Sequence, residues 1–242
     1  MHEGMGPPSS SSTLPALRAS RLFGSLEESV LNEFSRVSHR ARFERGAYLW
    51  HAGDPATAVT IITSGLVKVC QPLRQGQSTI VGLFGPRESL GDMAVMSGRG
   101  YPADAMAATD AVEVLRVERS AVIQAMNRDP SVGVAFNKSL VEHTAALRGK
   151  IQILAAGAVE RRLATLLLHL AQRFGDELED GTTTIPVVLS RTELSCLVGT
   201  TVETTIRIMS RWQKSGLVET NDSGFRLLSV PALEAVESDS NG

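Results

Sequence analysis

Hydrophobic positions change period along this chain, and each change marks a different kind of element. From Ala41 to about Val117 the apolar runs are short and broken by glycine, as in AYLWHAG, AVTIITSG, LVKVC, TIVGLFG and AVEVLRV. Gly46, Gly53, Gly65, Gly85 and Gly91 fall one strand apart, the spacing of an antiparallel roll or barrel. Residues 59–62, the Ser64-Gly65 pair and residues 66–69 predict a hairpin. After Asp129-Pro130 the period becomes helical, with Phe136, Leu140, His143, Leu147, Ile151 and Leu154 recurring every three or four residues. A long stripe with no surrounding helices packs on a copy of itself, so these six residues are the expected dimer seam. Ala155-Ala156-Gly157-Ala158 reads as a hinge. Leu163, Leu166, Leu167 and Leu170 then give a second amphipathic helix over 159–173.

Residues 189–218, LSRTELSCLVGTTVETTIRIMSRWQKSGLV, carry the pattern of a helix-turn-helix. Ser190 and Glu193 have capping-box spacing, Gly199 allows a tight turn, and Thr201 is placed to cap a second helix that ends at Lys214-Ser215-Gly216. Leu194, Val198, Thr205, Ile208 and Trp212 fall on the inner face, which leaves Glu203, Ile206 and Arg207 outside. Residues 217–219, a turn at 221–224 and residues 225–228 predict a β-hairpin wing, and residues 175–181 an acidic loop. At the start, residues 1–18 are an expected disordered tail ending in a Ser/Pro-rich run, followed by a short helix over 26–38 with Leu26, Val30, Leu31 and Phe34 on one side. The expected organisation is therefore α+β: a tail over 1–18, a β-roll over 19–128, a dimerisation helix over 129–156, a winged helix-turn-helix over 157–232 and a tail over 233–242.

Composition narrows the chemistry. Of 242 residues 43% are hydrophobic, enough for one or two ordinary cores, and the formal net charge of −2 argues against indiscriminate polyanion binding. Cys70 and Cys196 are far apart, with no CxxC pair and no histidine at ligand spacing, so neither a disulfide framework nor a metal or iron–sulfur centre is expected. No apolar run is long enough to span a bilayer and no export signal opens the chain, which predicts a cytoplasmic protein with no membrane partner. With no phosphate-cradling glycine loop, nucleophile elbow or metal-ligand cluster, an enzyme is not expected and no cofactor is assigned.

SGLVKV, GPRESLGDMAVMSG and SRTELSCLVGTTVETTIRIMSRWQKSGLV, in that order, resemble the bacterial CRP/FNR transcription factors, from about residue 20 to 232. The resemblance implies a cyclic-nucleotide-binding-like β-roll, a long dimer helix and a winged helix-turn-helix that reads a near-palindromic operator as a homodimer. It also implies base contacts by Glu203 and Arg207, which share one helical face and match cytosine N4 and guanine O6/N7. The alternative is an intrahelical Glu–Arg pair on a solvated surface. Val202 and Ile206 stand where the cyclic-AMP receptor pattern has Arg and Gly or Ser, so flanking bases should differ. Ser190, Arg191 and Thr201 are candidates for phosphate contacts near helix N-termini. The segment 175–184 sits where relatives touch RNA polymerase, a further candidate partner.

The ligand pocket departs from the family. Gly91-Asp92 replaces a Gly-Glu pair that holds ribose, and Pro102-Ala103 stand where an Arg-Ser/Thr pair holds the cyclic phosphate. Without the guanidinium, cyclic-AMP dependence is not expected. Arg99 is close enough in sequence to serve a different anion, which keeps a sensor for another nucleotide open. Haem is the other alternative, with His39, His51 and His143 as candidate ligands weighed against solvated or hydrogen-bonded histidines.

Overall fold

The computed structural model describes residues 13–72 and 78–238. Its order is α1 (Leu14–Ala19), α2 (Glu28–Val37), β1 (Ser38–Glu44), β2 (Tyr48–Trp50), β3 (Ala58–Ser64), β4 (Val67–Pro72), β5 (Ser78–Phe84), β6 (Ser89–Leu90), α3 (Asp92–Ser97), β7 (Asp104–Ala107), β8 (Ala111–Glu118), α4 (Arg119–Arg128) and α5 (Pro130–Ala155). Then follow α6 (Val159–Phe174), β9 (Asp176–Glu177), β10 (Thr183–Ile185), α7 (Arg191–Val198), α8 (Val202–Lys214), β11 (Val218–Asn221), β12 (Gly224–Leu227) and α9 (Val230–Ser238). The chain divides into two compact units, the first holding residues 13–72 and 81–143 and the second residues 78–80 and 144–238. Among the described residues no helix is long and apolar enough to cross a membrane.

In the first unit two antiparallel sheets run β1-β8-β3-β6 and β2-β7-β4-β5. The expected hairpin of β3 and β4 does not form. β3 pairs with β8 and β6, β4 pairs with β7, and the Ser64-Gly65 turn carries the chain from one sheet to the other. Gly65 has φ +76°, and a Cβ there would lie 2.2 Å from the Ala111 carbonyl oxygen, so only glycine fits this crossing. Local alternation predicted the strands correctly but could not choose their partners, because pairing is decided by long-range packing.

The tail expected over 1–18 is corrected at its end. Leu14–Ala19 is helical, with proline in its first turn, and Leu17 is fully buried. Thr13 hydrogen-bonds to Ser35 of α2, and Phe23 packs on Phe34 and Phe136 at ring-centroid distances of 5.0 and 6.1 Å. A short polar-flanked helix escapes periodicity because it offers only one core residue per turn.

Phe136 is likewise corrected. It is 7% exposed and belongs to the core of its own unit together with Val132 and Ala135. The first member of the expected stripe lies beside the face that covers the roll, and Phe23 claims it. Leu140, Ile151 and Leu154 are 43–65% exposed. The side chains of His143 and Leu147 lie outside the described residues.

Replacing Leu17 by Ala removes a fully buried side chain and should lower the stability of the first unit by about 2–4 kcal/mol in urea unfolding. A disordered tail would give no change.

Candidate nucleic-acid interface

In the second unit α6 presents Leu163, Ala164, Leu166, Leu167 and Leu170 to the core as one buried stripe. Against it stand α9, α7 and β10 of a sheet in the order β11-β12-β10-β9, and α8 packs on α7 and β11. The capping box that opens α7 is complete: the Ser190 hydroxyl accepts from the Glu193 N–H at 3.1 Å, and the Glu193 carboxylate accepts from the Ser190 N–H at 2.8 Å. α7 stops at Gly199, whose left-handed φ of +63° returns the Gly199 and Thr200 N–H groups to the Ser195 carbonyl. Thr201 then caps α8, its hydroxyl accepting from the Thr204 N–H at 3.2 Å.

Helical periodicity sorts α8 into two faces. Thr205, Ile208, Met209 and Trp212 are buried, while Glu203, Ile206 and Arg207 are exposed and Val202 is half-buried. Ile206 is 48% exposed. The outward face therefore joins a carboxylate, an apolar group and a guanidinium on one convex surface. α8 is about 20 Å long at 1.5 Å per residue and slim enough for a major groove about 12 Å wide.

The flanking candidates differ in freedom. Ser190 and Thr201 are exposed at their helix N-termini, although each hydroxyl is engaged in capping. Arg191 is half-buried and donates to the Thr220 hydroxyl of β11 at 3.0 Å, which ties α7 to the wing. Burial draws its pKa down from the usual arginine range. The wing is a two-stranded turn with Asn221 opposite Gly224, as expected. The acidic loop is instead a small hairpin of β9 and β10 joined edge-on to β12, with Asp180 paired to Arg226 at 2.5 Å.

Two charged residues of α6 escaped the sequence reading. Glu160 accepts from the Trp212 indole Nε1–H at 2.9 Å and pairs with Arg211. Arg162 donates through Nη1 to the carbonyls of Val198 and Gly199, at 2.7 and 3.1 Å. The run Glu160-Arg161-Arg162 at the head of a leucine-rich helix was the available signal, since charges there need partners.

The expected pocket residues differ in burial and in partners. Asp92 is 3% exposed and accepts from the Ser139 hydroxyl of α5 at 2.6 Å, the Ser89 hydroxyl at 3.3 Å and the Met93 N–H at 2.9 Å. Gly91 (φ +76°) closes on the Tyr101 ring, which stacks on Trp50 at 4.1 Å. Ala103 is buried, its carbonyl accepting from Trp50 Nε1, and Pro102 faces solvent. Arg99 lines a separate open cleft of about 770 Å³ with His39, Glu118 and Arg119. His39 is exposed at its outer edge, and its pKa is lowered by partial burial of the ring and by Arg116. His51 is exposed and lies tilted against the Tyr48 ring, with Nδ1 3.6 Å from Asp104.

Two family models match this chain, a cyclic nucleotide-binding domain over residues 40–129 and a Crp-like helix-turn-helix domain over 161–236. The transcriptional regulatory protein btr of Bordetella pertussis is 29% identical over 198 residues, 82% of this chain and 81% of btr. The nitrogen fixation regulation protein FixK of Bradyrhizobium diazoefficiens is 24% identical over 91% of both chains. The chain belongs to the CRP/FNR family. Solved structures share the fold: FixK2 from Bradyrhizobium japonicum superposes with a TM-score of 0.69 at 20% identity, covering 84% of this chain and 99% of FixK2. A CRP-family transcriptional regulator from Thermus thermophilus gives 0.68 at 23% identity, covering 82% of this chain and 97% of that one. This CRP/FNR member is thus a transcription regulator with a DNA-binding helix-turn-helix.

Ser190→Ala in this CRP/FNR protein removes one half of the capping box and should cost about 1 kcal/mol of second-unit stability in thermal or urea unfolding. An unchanged midpoint would show the box to be ornamental.

Proposed function

We propose that the protein acts in the cytoplasm as a homodimer that reads a near-palindromic DNA operator without needing cyclic AMP. One observation carries the reading of DNA: α8, capped at its start and packed along its inner side, leaves Glu203, Ile206 and Arg207 together on an exposed face. Arg207 offers two parallel donors to guanine, and Glu203 accepts from cytosine on the same face. Val202 and Ile206 supply apolar contact suited to thymine methyls. Ser190, Arg191 and Thr201 contribute phosphate contacts that set the register. Arg191 does so from a guanidinium already steadied by Thr220.

Dimerisation rests on the exposed stripe of α5. Leu140, Ile151 and Leu154 share one side, and a solvent-facing row of this kind on a 26-residue helix is buried by a parallel copy. Two copies then present two recognition helices to successive major grooves about 34 Å apart.

Independence from cyclic AMP rests on Asp92, Pro102 and Tyr101. The carboxylate that would receive a ribose hydroxyl is buried against Ser139, and no guanidinium stands at the phosphate position. A nucleotide would have to break the buried bond and bring an uncompensated phosphate charge. The exposed carboxylates of Asp176, Glu177 and Glu179 support the polymerase contact that the family resemblance implies.

Footprinting on an inverted repeat selected from a random DNA pool tests the reading, and protection should be the same with and without cyclic AMP. Arg207→Ala should weaken binding by about 1–3 kcal/mol per half-site and relax preference at one G·C pair. Equal weakening on every sequence would reduce Arg207 to a phosphate contact. Ile151→Asp should give monomers by light scattering and lose the operator; a retained tight dimer would move the seam elsewhere.

A further inference from the structure

We propose that Glu160 and Arg162 are positioning residues for sequence readout, bracing both helices of the reading motif against the turn of α6 that follows Gly157. The proposal rests on the DNA reading above. Each arm is visible in the geometry. Glu160 accepts from the Trp212 indole on α8, and Arg162 donates to the last carbonyls of α7, Val198 and Gly199. Those carbonyls are left over when a helix ends, and they lie at the negative end of its dipole, so a guanidinium is the fitting partner.

Packing alone would not set the angle of α8. Thr205, Ile208, Met209 and Trp212 are buried, but apolar contact is non-directional and tolerates a small roll or slide. A readout group has to be held to within about 0.5 Å, which calls for directional bonds from a rigid neighbour. Of the bonds available, the one to the indole matters most. Arg211 is 58% exposed, so its pairing with Glu160 is weakened by water. Trp212 is 2% exposed, so its indole N–H needs an acceptor within the protein. Trp212 is five residues after Arg207, so fixing the indole fixes the direction in which Arg207 points.

The position of the brace adds a second consequence. Glu160 and Arg162 follow Gly157, which has φ +78°, by three and five residues. Any change of backbone at that glycine turns the first turn of α6, and both helices of the motif turn with it.

The test uses the full chain, an inverted repeat selected by the wild-type protein, and a scrambled duplex of the same length. Glu160→Ala should lower the ratio of affinities for repeat over scrambled duplex by about tenfold, the loss of roughly one hydrogen bond. Scrambled-duplex affinity should stay unchanged. In a ¹H–¹⁵N spectrum the Trp212 indole cross-peak should move, and that of Trp50, which donates to Ala103, should not. Glu160→Gln keeps an acceptor and should restore most of the ratio. Arg162→Met keeps the stem but removes Nη1, the one nitrogen that donates to both carbonyls, and should lower the ratio. An unchanged ratio in Glu160→Ala alongside a shifted Trp212 peak would overturn the proposal, as would equal weakening on both duplexes. A wild-type protein that selects no repeat would overturn the DNA reading and this proposal with it. Discrimination by wild type that survives in both variants would overturn the brace alone.

Discussion

An indole buried in a small helical domain brings one polar hydrogen with it, and leaving that hydrogen unpaired costs about 1–3 kcal/mol. Trp212 meets this constraint through Glu160, and much of the second unit is arranged around the pairing. The buried side of α8 faces inward because Trp212 does, and the opposite side is therefore the one left for Glu203, Ile206 and Arg207. The chain leaves the same residue for the wing: the Leu217 N–H returns to the Trp212 carbonyl, and the Leu228 N–H to the Leu217 carbonyl. Helix, turn and wing thus share one anchor, and Arg191 closes the circuit from α7 to Thr220.

The first unit follows a different logic, in which the sheets are held by crossings. Gly65 moves the chain between sheets where no side chain could fit, and the Leu66 N–H and carbonyl are both taken up there, by the Thr109 hydroxyl and the Ala108 N–H. α1, α2 and the first turns of α5 cover the roll through Leu17, Phe34 and Phe136. α5 begins as a lid over its own core and carries exposed Leu140, Ile151 and Leu154 further along. That division explains why α5 belongs partly to each unit.

What could be read from the residues alone divides along the range of the interactions. The helix-turn-helix was legible almost residue by residue, because Ser190, Glu193, Gly199 and Thr201 act on neighbours a few positions away. Glycine spacing gave the roll, yet the partner of β3 depended on β8, far along the chain, and local pattern mistook it for β4. Phe136 matched the seam by period and was lost to it by contact with Phe23, which stands in a distant part of the sequence. The pocket's departures were plain from Pro102 and Ala103, but the bond from Ser139 to Asp92 was not, since nothing in either segment announces the other. Glu160 and Arg162 were marked as charges in need of partners by their place at the head of a leucine-rich helix, but the partners themselves lie far along the chain on α7 and α8.

The Asp92–Ser139 bond also shapes what this fold could become. Restoring a guanidinium at position 102 would place a cation near the roll but leave the carboxylate engaged with the long helix. Changing Ser139 would take a close donor from a buried charge, with no sugar hydroxyl to replace it until the guanidinium arrived. Neither change alone would offer both a free carboxylate and a guanidinium, so the buried bond ties the chemistry of position 102 to that of Ser139 on the long helix.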